Sequence, residues 1–417
     1  MIDLDYLRQH PNVAERKFRE RGLKPNLKRL LKLDRDHRQI LQEVEALRAE
    51  RNQKSKTATA DASIRIVLRE LKSRLTAKES ELNKLEGSLR SALAQLPNLQ
   101  ADDVPIGPDE TANRTVREVG ERPDFSFTPR DYFDLARNLD LIDTEKSADV
   151  AGSRFAYLKN SLVLIEFALI QHAFNKLTAQ GFIPVIPPMM IRPDVFQGMG
   201  RLAGDQKEER YHVAKDDLYL IGSAEHTLGP LHLNETLAEA ALPKRYVGFS
   251  SCFRREAGSY GKDTKGILRV HQFDKVEMFV FATPDHAETE HQRLLALQEQ
   301  LVQDLKLPYR VVEMCTGDIG WTDYRQFDIQ TWFPAQRTYR ETHSCSNTSD
   351  FQARGINARY RSKQGVGYMH LLNATAYAMS RTMAAIIENY QQADGSVAIP
   401  QVLRPYLNGQ QVITKPR

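Results

Sequence analysis

Between Phe249 and Phe281 the chain reads FSSCFRREAGSYGKDTKGILRVHQFDKVEMFVF. Two segments of strand character flank a loop with Gly258, Gly261 and Gly266 beside Lys262, Asp263 and Lys265. Strand side chains alternate between faces, so Arg254 pairs with Glu256 on one side. The same rule groups Arg269, His271, Phe273, Lys275 and Glu277 on the second strand. Arg254, Glu256, Arg269, Phe273 and Glu277 are therefore expected to line a single surface. Arginine suits phosphate because its planar fork donates two hydrogen bonds at once. Phe273 offers a ring on which a base can stack, and the glycine-rich loop could close over a nucleotide. Neither GxxxxGK[ST] nor GxGxxG occurs, which excludes a P-loop and a Rossmann fingerprint.

These residues need a scaffold, and the chain is long enough for two domains. It has 417 residues, 41% hydrophobic and 27% charged, as in a globular protein. No apolar run reaches 18 residues, so no membrane span is expected. The first residues are acidic and resemble neither a secretory signal nor a transit peptide, so the cytoplasm is the expected location. Cys252, Cys315 and Cys345 are widely spaced, without CxxC or HxxxH pairs, and are expected to be reduced thiols. Residues 15–90 hold 21 Lys+Arg against 12 Asp+Glu, a balance of +9. The net charge of +4 leaves −5 for the rest. That local excess suits a polyanion partner, and equally a merely solvated helical face.

The first hundred residues are helical. Leu30, Leu33, His37, Ile40, Val44, Leu47 and Arg51 recur by threes and fours. So do Leu68, Leu71, Leu75, Lys78, Leu82, Leu85, Leu89, Ala92 and Leu96. An average of 3.5 is a coiled-coil seam. The polar stretch 52–63 between the runs reads as a tip, giving an antiparallel hairpin that projects roughly 40 Å. Pro97 ends the second helix, and the prolines and polar residues of 98–125 read as a linker. The remainder, 126–417, is expected to be α+β. Helices are expected at 157–180, 284–305 and 375–390. Strands are expected at 182–191, 218–221, 245–252, 270–282, 309–313, 327–332 and 366–371. Strands with few interposed helices argue for an antiparallel sheet.

The core Phe253-Arg254-Arg255-Glu256 resembles motif 2 (Phe-Arg-x-Glu) of the class II aminoacyl-tRNA synthetases. The longer string FRREAGSYGKDTKGILRVHQFDKVE resembles the seryl-tRNA synthetases in particular. AGSRFAYLKN (Ala151 to Asn160) resembles the start of their catalytic domain, and GFIPVIPPMM (Gly181 to Met190) resembles motif 1. TYRETHSCSNTSDFQARG (Thr338 to Gly355) and HLLNATAYAMSRTMAAIIENYQ (His370 to Gln391) resemble the active-site strand and motif 3. IPQVLRPYL (Ile399 to Leu407) resembles the C-terminal segment. The basic hairpin sits where that family carries its tRNA-binding arm.

The resemblance implies a class II catalytic domain, with an antiparallel sheet flanked by helices, and a homodimer formed through the motif 1 region. It implies ATP-dependent activation of serine to seryl-adenylate with release of pyrophosphate, then transfer to the 3′ end of tRNA(Ser). Arg254, Glu256, Arg269 and Arg381 would be catalytic. ATP would meet Arg254, Arg255, Glu256, Val270, Phe273, Glu341, Thr342, His343, Ser344 and Arg381. Phe273 and Arg381 would sandwich the adenine. Glu341 and Ser344 would hold magnesium. Serine would meet Ser223, Ala224, Glu225, Arg254, Glu277, Asn373 and Thr375, with Glu277 on the ammonium. Lys54, Lys56, Arg65, Arg69 and Lys72 would contact tRNA phosphates.

The chain departs from the family at Ser223, at Gln330, at His343, and in a motif 3 that is otherwise glycine-rich. There Ala374, Ala376, Tyr377 and Ser380 are expected to narrow the floor of the adenylate pocket. A catalytically silent paralogue binding RNA or protein would be expected to lose motif arginines, and none is lost. An enzyme loading an amino acid on a carrier protein would not need the basic hairpin.

Overall fold

A computed structural model describes residues 1–56, 62–257 and 265–415, except the side chains of Ala62, Ser63 and Asp205. The chain divides into two compact units, Ile2–Pro97 and Asn98–Arg417, with Met1 in the second.

The first unit begins with two short helices, α1 (Leu4–Gln9) and α2 (Pro11–Glu20). Two long ones follow, α3 (Leu27–Lys56) and α4 (Ala62–Ala94). Ile40, Val44 and Leu47 of α3 are buried against Leu71 and Leu75 of α4, the seam that the 3.5-residue spacing marks. Lys78 falls on that seam but is not an apolar knob. Its ammonium meets Glu43 of α3 at 2.8 Å and Glu81 at 3.1 Å. Arg48 crosses to Glu79 at 2.7 Å. Asp34, buried in α3, accepts from Arg8 at 2.9 Å and from Arg38 at 3.2 Å. Both helices run into the expected tip, whose residues 57–61 lie outside the described part.

The second unit is built on an eight-stranded sheet. In chain order its strands are β1 (Arg114–Val119), β2 (Ile183–Val185), β3 (Lys244–Phe253) and β4 (Gln272–Ala282). Then come β5 (Tyr309–Glu313), β6 (Arg325–Phe333), β7 (Thr338–Asn347) and β8 (His370–Ala378). Their spatial order is β1-β5-β6-β7-β8-β4-β3-β2. Every pairing is antiparallel except that of the edge strand β2 with β3. Three helices, α5 (Ser161–Ala179), α6 (Pro284–Asp304) and α7 (Met379–Asn389), contribute to the main core. Val276, Met278, Val280 and Ala282 of β4 join that core, so its odd-numbered residues face the other way.

Two expectations change. The segment 98–125 is not a free linker. The Asn98 amide donates to Thr322 O and Thr348 O, Leu99, Ala101 and Val104 are buried, and β1 pairs with β5. With β1 paired and Leu99, Ala101 and Val104 covered, it belongs to the second unit, although Ile106 and Val116 stay exposed. The helix expected from Thr375 starts only at Met379. His370–Ala378 is a central strand instead, held by β4 on one side and β7 on the other. Those two ladders override the helical propensity of its alanines and leucines.

Leu75, 4% exposed in the hairpin seam, gives a direct test of the first unit. Leu75→Ala is expected to destabilise the hairpin by roughly 2–4 kcal/mol, read as a fall in its helical melting temperature by circular dichroism. An unchanged melt would mean the seam is not what holds the two helices.

Candidate active site

The odd face of β4 carries the site. Phe273, Lys275 and Glu277 follow one another there at a spacing of two. Strand β3 ends at Phe253, so strand alternation is not what aims Arg254 and Glu256. Arg254 keeps one more backbone bond, N–H to His271 O at 3.0 Å, and its carbonyl accepts from His271 Nδ1 at 3.0 Å. Glu256 then takes a left-handed φ of +51°. That turn carries its carboxylate to Arg269 at 3.3 Å.

Across the sheet, two bulges re-aim side chains. Between β6 and β7 the register slips at Ile329/Gln330, leaving Thr342 as the extra residue. Glu341 and Ser344, three apart, would face opposite sides of a regular strand, and here both face the cavity. Between β4 and β8 the slip falls at Val276/Glu277 and leaves Ala376 over. It brings Thr375 and Ala378 to the same cavity.

The cavity is lined by Arg254, Glu256, Arg269, Val270, Phe273 and Lys275 on one side. Glu341, Thr342, Ser344, Thr375, Ser380 and Arg381 line the other. The Arg254 guanidinium sits 5.3 Å from the centre of the Phe273 ring. Its Nε donates to Gly222 O at 3.1 Å. Arg381 Nη1 meets Glu341 Oε2 at 3.1 Å. Against partial desolvation, Arg381 with Arg254 and Lys275 beyond holds the Glu341 carboxyl below its usual range. Behind it Asp328 is buried, accepts from Gln326 at 2.9 Å, and is pushed well up by burial and by Glu341.

Beside the cavity lies a dry polar cluster. Glu277 is 1% exposed and ion-paired with Lys275. Its Oε1 accepts from Thr375 Oγ1 at 3.1 Å and from Ser223 Oγ at 3.3 Å, while its Oε2 has no hydrogen-bond partner among the described residues. Burial, with Glu225 near, pushes the Glu277 carboxyl up against the pull of Lys275. Glu225 meets Arg201 at 2.6 Å and His226 Nε2 at 3.2 Å. Burial alone would raise Glu225; Arg201 and His226 outweigh it and hold it low. Burial pushes His226 down to about 3, so the ring is neutral. Its Nδ1 accepts from Gly222 N at 3.1 Å, which leaves the proton on Nε2 for Glu225.

The expected residues are thus largely brought together. Three side chains are not. Arg255 turns over the Tyr211 ring, 5.6 Å from its centre. Ala224 is buried in a second core cluster with Leu228 and Phe279. His343 is 2% exposed, bonds Thr342 at 2.8 Å, and stands 6.1 Å from the Tyr377 ring, because the bulge turns it to the core. Asn373 is buried with its Nδ2 unpartnered. Ala374, Ala376 and Tyr377 also belong to the main core, so only Ser380 of the motif 3 departures touches the cavity. On the hairpin, Lys56, Arg65, Arg69 and Lys72 are exposed, and Lys54 is half-buried beside Glu50 at 2.8 Å. Sequence reasoning assigned no role to Lys275, Arg201, Arg210 or Asp328. Lys275 had a signal, its period-two place between Phe273 and Glu277.

Residues 1–100 match the seryl-tRNA synthetase N-terminal domain, and residues 209–390 match the tRNA synthetase class II core domain (G, H, P, S and T). A serine–tRNA ligase of Acidothermus cellulolyticus is 44% identical over 413 residues, 98% of each chain. This chain belongs to the seryl-tRNA synthetase family. The seryl-tRNA synthetase of Pyrococcus horikoshii, solved with ATP, superposes with a TM-score of 0.91 at 38% identity, covering 100% of both chains. The cytoplasmic serine–tRNA ligase of Naegleria fowleri, solved with AMP, gives 0.85 at 30% identity over 99% of this chain and 97% of that one.

The Lys275–Glu277 pair yields a pH test. Lys275→Met leaves a buried carboxylate without its cation, at a cost of roughly 3 kcal/mol near neutral pH. A carboxyl raised in the folded state stabilises most below its unfolded pKa and loses that stability as pH rises through the folded one. The fall in melting temperature relative to the parent is therefore expected to be largest near about pH 8 and smallest near about pH 5. A deficit independent of pH would show that the lost contact is packing and not charge.

Proposed function

We propose that this cavity joins serine to ATP and then to tRNA. As a member of its family the chain is an ATP-dependent serine–tRNA ligase. The observation that carries the reading is the juncture of two chemistries. Arginines and an aromatic ring suited to a nucleotide adjoin a dry carboxylate, Glu277, with one oxygen unpartnered.

The unpartnered Glu277 oxygen takes the substrate ammonium. Thr375 and Ser223 lie within reach of the serine hydroxyl, with Asn373 on the same face of the sheet. A site built to bond a hydroxyl rejects alanine, which leaves those groups unpaired. Arg254 positions the serine carboxylate beside the α-phosphate. A carboxylate oxygen attacks phosphorus, the bond to the bridging oxygen of the β-phosphate breaks, and pyrophosphate leaves. The cations stabilise charge as it develops, and positioning lowers the rest of the barrier. The terminal 3′-hydroxyl of tRNA then attacks the carbonyl carbon and AMP departs. Phe273 and Arg381 flank the adenine.

Glu341 and Ser344 present a carboxylate and a hydroxyl to one cavity, a hard-oxygen pair that would hold magnesium. Bound there, the cation would neutralise phosphate charge. Lys54, Lys56, Arg65, Arg69 and Lys72 contact tRNA phosphates, by shape more than by base edges. A ligase of this kind works in the cytoplasm, where ATP and tRNA meet; no helix among the described residues is long and apolar enough to cross a membrane. The working unit is a homodimer. Phe167 on α5 is 63% exposed and Ile186 after β2 is 82% exposed, with Leu164, Ile183, Met189 and Met190 also open. Such apolar exposure, from Ile183 to Met190 in the motif 1 region and at Leu164 and Phe167 on the helix before it, suits a protein interface.

Amino-acid-dependent exchange of pyrophosphate into ATP tests the activation step. Exchange is expected with serine and not with threonine, alanine, cysteine or glycine. Arg254→Ala is expected to lower it by about 10²-fold or more. Exchange with another of these amino acids would move the substrate assignment and keep the class. For the dimer, Ile186→Asp is expected to shift the mass in solution, by light scattering, towards that of one chain. A dimer that survives it would place the interface elsewhere.

A further inference from the structure

A recess of about 520 Å³ adjoins the cavity, and its positive charge is not all paired. Arg254, Glu256 and Arg269 line both spaces; Arg201, Arg210, Glu225 and Trp321 line the recess alone. Three of its arginines have protein acceptors. Arg201 meets Glu225, Arg269 meets Glu256, and Arg254 bonds Gly222 O. Arg210 differs. Among the described residues its guanidinium has no ion pair and no hydrogen bond, and its Nε, like that of Arg201, is closed to solvent without an acceptor. Its guanidinium rests 5.6 Å from the centre of the Phe196 ring.

The position of that cation is informative. A Cβ placed on Gly222 would stand 2.7 Å from Arg210 Nη1 and 3.4 Å from Arg254 Cγ. Two arginine side chains therefore converge on the residue before Ser223, where the recess meets the cavity. Burial costs this cation its hydration, the Glu225 and Glu209 carboxylates act on it without a direct contact, and an anion that docks beside it recovers the cost.

The chemistry of transfer names an anion that must come close. With the nucleotide on the cavity side of Arg254, the terminal ribose has to reach the serine carbonyl from the side left open. Its own 5′-phosphate follows one bond system behind. We propose that Arg210 binds the last internucleotide phosphate of the acceptor RNA, and so serves transfer and not activation. The assignment rests on the serine–tRNA ligase reading.

Arg210→Met separates the two half-reactions. Pyrophosphate exchange, with its KM values for serine, ATP and pyrophosphate, is expected to stay within about twofold of the parent. Single-turnover transfer from preformed adenylate is expected to be roughly tenfold slower or to need roughly tenfold more tRNA, the scale of one charged hydrogen bond. Arg210→Lys is expected to recover part of the loss. A tRNA whose last linkage is a neutral methylphosphonate is expected to slow the parent by the same factor and to leave Arg210→Met unaffected. Removing an unpaired cation is expected to hold or raise the melting temperature; a marked fall would assign Arg210 a structural role instead. Exchange that drops with transfer, or a raised KM for pyrophosphate, would give the recess to the leaving group. Equal sensitivity of both proteins to the methylphosphonate would also overturn the assignment. A parent enzyme that charges no tRNA would sink the ligase reading itself, whereas normal charging by both proteins would sink only the role of Arg210.

Discussion

The buried pair Lys275–Glu277 is the constraint to which the rest of the site is fitted. Two charges on a middle strand of the sheet have left water, which is tolerable only if they meet each other and further donors. They do: Glu277 also accepts from Thr375 and Ser223, which ties β4 to β8 and to the segment before Glu225. The pair also fixes register. A slip of one residue would turn Lys275 and Glu277 into the helices and Val276 and Met278 into the cavity. The strand has one workable alignment, and the same alignment leaves one carboxylate oxygen for a ligand.

A flat, regular sheet could not supply the rest. Glu341 and Ser344 are three residues apart, as are Thr375 and Ala378, and period two would send each pair to opposite faces. The extra residues Thr342 and Ala376 absorb the mismatch. They sit on the adjacent strands β7 and β8, so the two corrections act side by side on one wall. The cost is modest, because the displaced side chains find partners in the core. Thr342 bonds Thr331 at 2.8 Å, and Tyr377 bonds Leu301 O at 3.0 Å.

This explains what could be read in the sequence and what could not. The hairpin was legible because its heptad-like spacing is local, and β3, β4 and β5 were legible because alternation is local. Half of the residues that line the cavity stand in the motif 2 string, between Arg254 and Lys275. What escaped depended on pairing between distant segments. Thr375–Ala378 looks helical until β4 claims its backbone. The turn at Glu256 replaces a strand alternation that would have served the same end. Arg255 and His343 were expected in the site because their neighbours are there, and a one-residue change of face removes each. Arg201 carries no local signal, since its importance lies in Glu225, 24 positions on.

The same geometry decides what the unusual motif 3 does. Added methyl groups at Ala374 and Ala376, and the ring of Tyr377, would crowd an adenylate only if they faced it. They face the other way, into the core that the helices share. Tyr377 fills that layer and places its hydroxyl 3.0 Å from His172 Nδ1. The substitutions therefore thicken the packing between sheet and helices and leave the cluster of Thr375, Ser223 and Glu277 untouched. Ser380 is the exception, since it lines the cavity next to Arg381. It stands where the family has glycine. Under the proposed function, discrimination among amino acids falls to the hydrogen-bonded carboxylate, and the altered motif bears on how the adenosine sits.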